Sequence, residues 1–173
     1  MKRYVLVVLM GLCLVVSACS KKGNVQEENI NPENVSGQEV TIDSEEFANE
    51  PTLRGSQVNS VAELSIIFFG FDSSNITGAE LGTLKANVAY LKNNPSINVV
   101  VEGHCDERGT TEYNLALGQK RALKVKEYYV QMGISPARIA TVSYGEELPL
   151  DKRSNEAGWA RNRRAETKVL SNK

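Results

Sequence analysis

The chain has 173 residues, and its 20 Lys and Arg are balanced by 21 Asp and Glu. That length favours one domain with an appendage, and 41% hydrophobic residues with only 6% aromatic supply one modest core. The composition excludes a collagen, a long coiled coil, a disulfide-rich miniprotein and a polytopic membrane protein, and the near-zero net charge argues against a dedicated nucleic-acid binder.

These averages conceal three segments of different character. Residues 1–18 open on Lys2 and Arg3, continue as an apolar run to Val16 and end in Ser17 and Ala18. A basic start, an apolar stretch of roughly 7–15 residues and small residues at a cut site describe a secretory signal peptide. The run is shorter than the about 20 apolar residues of a bilayer-spanning helix. Val16-Ser17-Ala18-Cys19 resembles a bacterial lipobox, whereas bulky Leu12 makes Cys13 a poor competitor. The resemblance implies cleavage before Cys19, a diacylglycerol on its thiol and a third acyl chain on its amine. At about 0.8 kcal/mol per buried methylene, three chains anchor stably where one does not. Ser20 in place of an Asp implies, by the same resemblance, sorting to the outer membrane on the periplasmic side. An ordinary signal peptide with an incidental Cys and an uncleaved anchor are the alternatives. With Cys13 removed and Cys19 modified, Cys105 has no partner for an internal disulfide.

Residues 19–55 carry the expected lipid and then a linker. From residue 20 onward the segment holds eight acidic and three basic residues, and Asn, Gln, Ser, Gly and Pro fill most of the rest. No apolar period persists, so burial cannot offset the entropy of ordering it. A disordered tether of this length has a coil dimension of roughly 30–35 Å and a full reach on the order of 120 Å. The alternative is a loop packed on the domain through short pieces such as residues 40–42 or Phe47.

Residues 56–173 are the folded domain, with 15 basic and 13 acidic residues. Short apolar runs at 66–71, 97–102, 139–144 and 165–170 read as strands. Thr77 and Glu80 have capping-box spacing, and Leu81, Leu84, Val88 and Leu91 keep one apolar helix face until Asn93-Asn94-Pro95. Leu115, Gly118, Ala122, Val125, Tyr129 and Met132 form a second stripe, closed by Gly133 as a C-cap. A shorter helix spans 156–163. The order β-α-β-α-β-α-β, with right-handed crossovers, gives a fold of class α/β (α+β): a two-layer sandwich with the long helices on one face of a four-stranded mixed sheet.

Enzymatic chemistry has little to stand on. His104 and Cys105 are adjacent, and neighbours on a strand point to opposite faces, so a Cys–His nucleophile pair is disfavoured. One His, one Cys and Asp106 fall short of a closed metal set, and no phosphate-binding loop is present. We therefore expect no catalytic residue, metal or cofactor beyond the covalent lipid. The better signal is polar residues where two strands end, at Gly70-Phe71-Asp72 and Gly103-His104-Cys105-Asp106, where ligands of α/β sheets tend to sit. Asn114, Leu117 and Arg121 share a flank of the second helix. Asp72, Asp106 and Arg121 can thus converge, with Arg121 at the helix edge and its guanidinium partly free. A structural ion pair holding a loop is the competing reading.

Residues 101–109 (Val-Glu-Gly-His-Cys-Asp-Glu-Arg-Gly), residues 114–122 (Asn-Leu-Ala-Leu-Gly-Gln-Lys-Arg-Ala) and Asn162-Arg163-Arg164 are similar to motifs of the peptidoglycan-binding OmpA-like family. Cys105 departs from the Ala or Thr usual there. The resemblance implies a peptidoglycan ligand, its meso-diaminopimelate stem, and a site of Phe71, Asp72, Asp106, Leu117 and Arg121. In chemical terms, Asp106 takes the ammonium of the diaminopimelate head and Arg121 its carboxylate through a two-pronged bond. Phe71 and Leu117 wall the methylene chain. His104 belongs at the rim or in the scaffold, and Arg163 and Arg164 in structural or rim roles. Resemblance also implies partnership with the periplasmic Tol propeller protein and its inner-membrane Tol partners, with roles in envelope integrity and cell division. A wall-binding lipoprotein outside that system and a Cys/His wall hydrolase are the alternatives.

Overall fold

The computed structural model describes residues 50–172. The expected signal segment, Cys19 and the linker up to residue 49 lie outside the described residues.

The domain begins with a short strand, β1 (Ser56–Asn59), followed by β2 (Ile67–Phe68) and helix α1 (Leu81–Asn93). Then come β3 (Asn98–His104), the 21-residue α2 (Thr111–Gln131), β4 (Ile139–Gly145), α3 (Glu156–Asn162) and β5 (Arg164–Asn172). The sheet is mixed: β3 pairs parallel with β4 and antiparallel with β5, whose far edge is shared by β1 and β2, both antiparallel. The two-layer sandwich and mixed sheet are as expected, with five strands rather than four. The added strand, β1, is Ser-Gln-Val-Asn, mostly exposed and without an apolar alternation to announce it.

The apolar stripes meet one face of the sheet. Leu84, Val88 and Leu91 of α1 and Ala122, Val125 and Tyr129 of α2 pack against Ile67, Val99, Val101, Ile139 and Ala165. Fully burying a side chain such as Leu84 or Leu91 contributes about 1.5–3 kcal/mol each. A second layer of order comes from Tyr129, whose hydroxyl lies between Asn87 Nδ2 (3.0 Å) and Thr167 Oγ1 (2.9 Å). Asn87 in turn pins the Ser65 backbone: Oδ1 accepts from Ser65 N–H (2.9 Å) and Nδ2 donates to Ser65 O (2.8 Å).

Helix ends follow their sequence signals unevenly. Gly133 has φ +92°, and Gly133 N–H donates to Val130 O (2.9 Å) while Ile134 N–H donates to Tyr129 O (3.0 Å). This is a Schellman closure, as the glycine predicts. The Thr77–Glu80 capping box does not form: Thr77 precedes a 3-10 turn (Gly78–Glu80), and neither side chain makes a cap hydrogen bond. The true side-chain caps are Thr110 on α2 (3.3 Å to Tyr113 N–H) and Asn155 on α3 (3.0 Å to Gly158 N–H).

Two departures from the expected elements build the site. The first apolar run, 66–71, pairs only at Ile67 and Phe68. Phe69 is still tied to Arg163, backbone to backbone (2.9 Å) and through Arg163 Nε to Phe69 O (3.1 Å), and the chain then leaves the sheet at Gly70-Phe71. Strand β3 runs two residues beyond its expected end, so His104 is still in the ladder, opposite Arg164. Among the described residues no helix is long and apolar enough to cross a membrane.

Candidate functional site

The loop after β2, the loop between β3 and α2, the first turns of α2 and the residue after α3 close on a cavity of about 180 Å³. Its walls include all five site residues expected from the sequence, Phe71, Asp72, Asp106, Leu117 and Arg121, together with Arg108, Tyr113 and Arg163.

Close approach of strand and helix makes this geometry. Gly103 on β3 faces Gly118 on α2, and a Cβ on Gly103 would lie 1.8 Å from Gly118 O. The following loop is held by Asn114, buried at the start of α2. Its Nδ2 faces Asp106 O (3.3 Å), Arg108 O (3.1 Å) and Glu146 Oε2 (2.5 Å). Asp72 adopts φ +50°, a left-handed conformation that Asp tolerates better than most residues, and accepts a hydrogen bond from Tyr113 Oη.

Arg121 is not the half-free group expected. It has no exposed surface. Nε donates to Ser73 O (2.9 Å), Nη1 to His104 O (2.7 Å) and Cys105 Sγ (3.3 Å), and Nη2 to Gly70 O (3.1 Å). Four of the five N–H donors of a guanidinium are thus committed within the protein. The carbonyl acceptors lie on the loop after β2 and at the end of β3, so Arg121 fastens the cavity together while leaving its charge there.

Asp106 is similarly engaged. Its carboxylate accepts from Arg108 N–H (3.1 Å), Nε (3.0 Å) and Nη2 (2.7 Å), and from Arg163 Nη1 (3.3 Å). Burial pushes this carboxyl up, but the Arg108 and Arg163 bonds outweigh it and hold it below the ordinary carboxylate range. Arg163, expected in a structural or rim role, is buried and also donates to Glu156 Oε1 (2.6 Å). Arg108 was not among the expected site residues, although its Asp-x-Arg spacing from Asp106 across a turn was a usable signal.

His104 does not reach the cavity rim. Gly103 faces α2, so the next side chain points through the sheet to the other face. There His104 stacks on Tyr144 (5.6 Å between centroids, 21° between planes), and Glu102 Oε2 lies 3.7 Å from Nε2. Arg164, Glu166 and Lys168 of β5 share this face, with Lys168 Nζ 2.6 Å from Glu102 and Arg164 Nε 2.5 Å from Glu166. Both imidazole nitrogens are buried and, among the described residues, have no hydrogen-bond partner, and burial holds the ring's pKa below its ordinary value.

Cys105 points the other way. Its thiol donates to Asn114 O (3.3 Å), and burial pushes it up to about 11. Thiol and imidazole therefore lie on opposite faces of the sheet, and the thiol is protonated at neutral pH, which removes the basis for a Cys–His nucleophile. Among the described residues no group of His, Cys, Asp and Glu is placed to hold a metal ion. The cavity combines two carboxylates, three guanidiniums and apolar walls, a set that can recognise a small, charged, partly aliphatic group.

Residues 68–163 match the model of the OmpA family. The peptidoglycan-associated lipoprotein of Pseudomonas aeruginosa is 36% identical over 161 residues, 92% of each chain. This chain belongs to the OmpA family. The corresponding lipoprotein of Haemophilus influenzae is 48% identical over 110 residues, 61% of this chain and 72% of that one. Among solved structures, the peptidoglycan-associated lipoprotein of Burkholderia pseudomallei superposes with a TM-score of 0.58 at 40% identity, covering 61% of this chain and 89% of that one. The relatives' names are those of peptidoglycan-associated lipoproteins, not of enzymes.

Proposed function

We propose that this chain is an outer-membrane lipoprotein, held by acyl chains on Cys19 and facing the periplasm, whose domain binds peptidoglycan without covalent chemistry. The bound group is the diaminopimelate peptide stem, and the protein joins the outer membrane to the cell wall. The observation that carries the reading is the union of Asp72, Asp106, Leu117, Phe71 and the charge of Arg121 on one cavity. A diaminopimelate head bears an ammonium and a carboxylate on one carbon, joined to the stem by methylenes. The carboxylates of Asp72 and Asp106 answer the ammonium, the guanidinium charge answers the carboxylate, and Phe71 and Leu117 flank the methylenes. The names of the relatives support peptidoglycan as the ligand at the coarser level. Through the family, the proposal extends to the Tol proteins as partners in envelope integrity and cell division.

A pull-down with purified sacculi tests the binding. The wild-type protein sediments with diaminopimelate-type sacculi and much less with lysine-type sacculi, whose stems lack the terminal carboxylate. Asp106→Asn and Arg121→Lys, checked for native circular dichroism, lose most of the bound fraction. Equal sedimentation of folded variants and wild type refutes the site. Mass spectrometry of the mature amino terminus tests the anchor: acyl chains on Cys19 are expected, and an unmodified terminus elsewhere overturns it.

A further inference from the structure

Arg108 occupies the place that the proposed function gives to a ligand. Its guanidinium forms a two-pronged pair with the Asp106 carboxylate (3.0 and 2.7 Å). The same flat group is stacked between two rings, 4.0 Å from the centroid of Phe71 and 4.1 Å from that of Trp159. Trp159 is itself steadied by its Nε1 donating to Glu107 Oε1 (3.1 Å). Two of the residues assigned to the ligand, Asp106 and Phe71, are thereby covered by a cation from the chain itself.

The two arginines on Asp106 differ in how they are held. Arg163 is buried, tied to Phe69 O and Glu156, and supports the start of β5. The Arg108 side chain is 30% exposed, sits on a loop, and among the described residues has no hydrogen-bond acceptor beyond Asp106. Glu156, mostly exposed, lies 3.9 Å away, at the limit of an ion pair. Arg108 can swing out without opening the core, whereas Arg163 cannot. With Arg108 gone, the ring surfaces it covers on Phe71, already 61% exposed, and on Trp159 are freed beside Asp106.

We infer that Arg108 is the resident cation of the site: it holds Asp106 and covers the Phe71 and Trp159 rings until the ammonium of a diaminopimelate stem displaces it. This rests on the proposed function and adds a specificity step to it. A ligand gains access to Asp106 only by replacing a stacked, two-pronged guanidinium, so a neutral or purely anionic stem cannot displace it. The arrangement requires Arg, because the compact ammonium of Lys neither spans the carboxylate in two prongs nor stacks flat between rings.

The test is calorimetric titration of the whole chain in detergent micelles with two soluble stem peptides. One ends in meso-diaminopimelate; the other ends in 2-aminopimelate at the same position, which keeps the far carboxylate and lacks the ammonium. Removing an internal competitor of this type makes Arg108→Ala bind the diaminopimelate stem about three- to thirtyfold tighter than wild type. The 2-aminopimelate stem gains nothing, and Arg108→Lys lies between wild type and Arg108→Ala. Should Arg108→Ala bind the diaminopimelate stem equally or more weakly while wild type binds it well, Arg108 is a ligand contact or a bystander, and the inference falls with the proposed function intact. If wild type binds neither stem, the proposed function fails, and this inference with it.

Discussion

Gly103→Ala is the sharpest probe of how the strand and helix that carry the site are joined. A Cβ at position 103 would lie 1.8 Å from Gly118 O, 2.6 Å from Gly118 C and 3.2 Å from Gly118 Cα. All three are backbone atoms of α2, so no side-chain rotation relieves the clash. Reaching ordinary contact at 3.4 Å requires β3 and α2 to part by roughly 1.6 Å. Overpacking of this kind costs about 3 kcal/mol, and the gain of Ala over Gly in a strand returns only about 0.5–1 kcal/mol. At about 4 °C per kcal/mol for a domain of this size, the melting temperature should fall by about 8–10 °C. Gly118→Ala is the internal control. Its Cβ meets Ser143 Oγ at 2.3 Å and Gly103 O at 3.0 Å. The hydroxyl can rotate away, giving up its bond from Gly145 N–H (3.2 Å), and Ala gains about 1 kcal/mol of helix propensity. The net loss at 118 should stay within about 1 kcal/mol. Thermal and urea unfolding followed by circular dichroism measure both. A Gly103→Ala protein melting within 2 °C of wild type, or less perturbed than Gly118→Ala, would refute the close strand–helix approach and the geometry of the cavity derived from it.

Arg121→Ala should destabilise by about 3 kcal/mol or more, because it orphans the carbonyls of Gly70, Ser73 and His104 at once. Arg121→Lys should retain most of the fold while losing binding, and urea midpoints that rank the two the other way would contradict the strut role. Tyr129→Phe removes the hydroxyl between Asn87 and Thr167 and should cost about 1–2 kcal/mol; an unchanged midpoint would mean that water replaces it freely. The pKa of His104 is depressed below its ordinary 6.5 by burial, among Glu102, Tyr144, Arg164, Glu166 and Lys168. A depressed pKa means that the native state binds fewer protons than the unfolded chain. The associated stability is complete above pH 6.5 and declines as pH falls through the lower native value. His104→Gln should flatten the urea midpoint between pH 6.5 and 5, and a wild-type midpoint already flat there would contradict the burial. Asp106 and Glu102, both held below their ordinary values despite burial, should give a second loss beginning below about pH 4. Asp106→Asn should remove its part of that loss, as seen in acid titration of the near-ultraviolet signal.

How far the sequence was legible depends on whether a residue's partner is local. The stripe from Leu115 to Met132 and the glycine after it specify α2 and its end, because period and cap lie within one segment. β3 and β5 are readable as apolar runs, and the alternation of Val99 and Val101 with Glu102 and His104 marks a sheet with one apolar and one polar face. β1 is invisible because an exposed edge strand needs backbone pairing to Ser171, Leu170 and Val169, not an apolar pattern of its own. The expected box at Thr77 and Glu80 failed because the chain enters α1 through a 3-10 turn, which carries those residues past the capping geometry. At the site, the convergence of Asp72, Asp106 and Arg121 was legible, since strand ends and one helix flank point there, while Phe71 and Leu117 were placed there by the family resemblance. The burial of Arg121 was not legible, because its acceptors at Gly70 and Ser73 stand 51 and 48 residues away. Arg163 was expected in a structural or rim role, but its bond to Asp106, 57 residues away, escaped for the same reason.

The charge pattern of the cavity bears on why such a site would suit a reversible hold on the wall. Three guanidiniums and two carboxylates sit together, and each of them already has a hydrogen-bond partner within the chain. A site of bare charges would bind tightly, but it would also bear the desolvation and repulsion of unpaired groups in the empty state. Internal pairing removes that penalty and sets a ligand the task of exchanging one ion pair for another, which yields specificity with modest affinity. On the proposed function modest affinity is sufficient. A protein fixed to the outer membrane by acyl chains meets the wall at the high effective concentration of a tethered partner. Many weak, exchangeable contacts can then hold two layers together while each contact opens as the wall is remodelled.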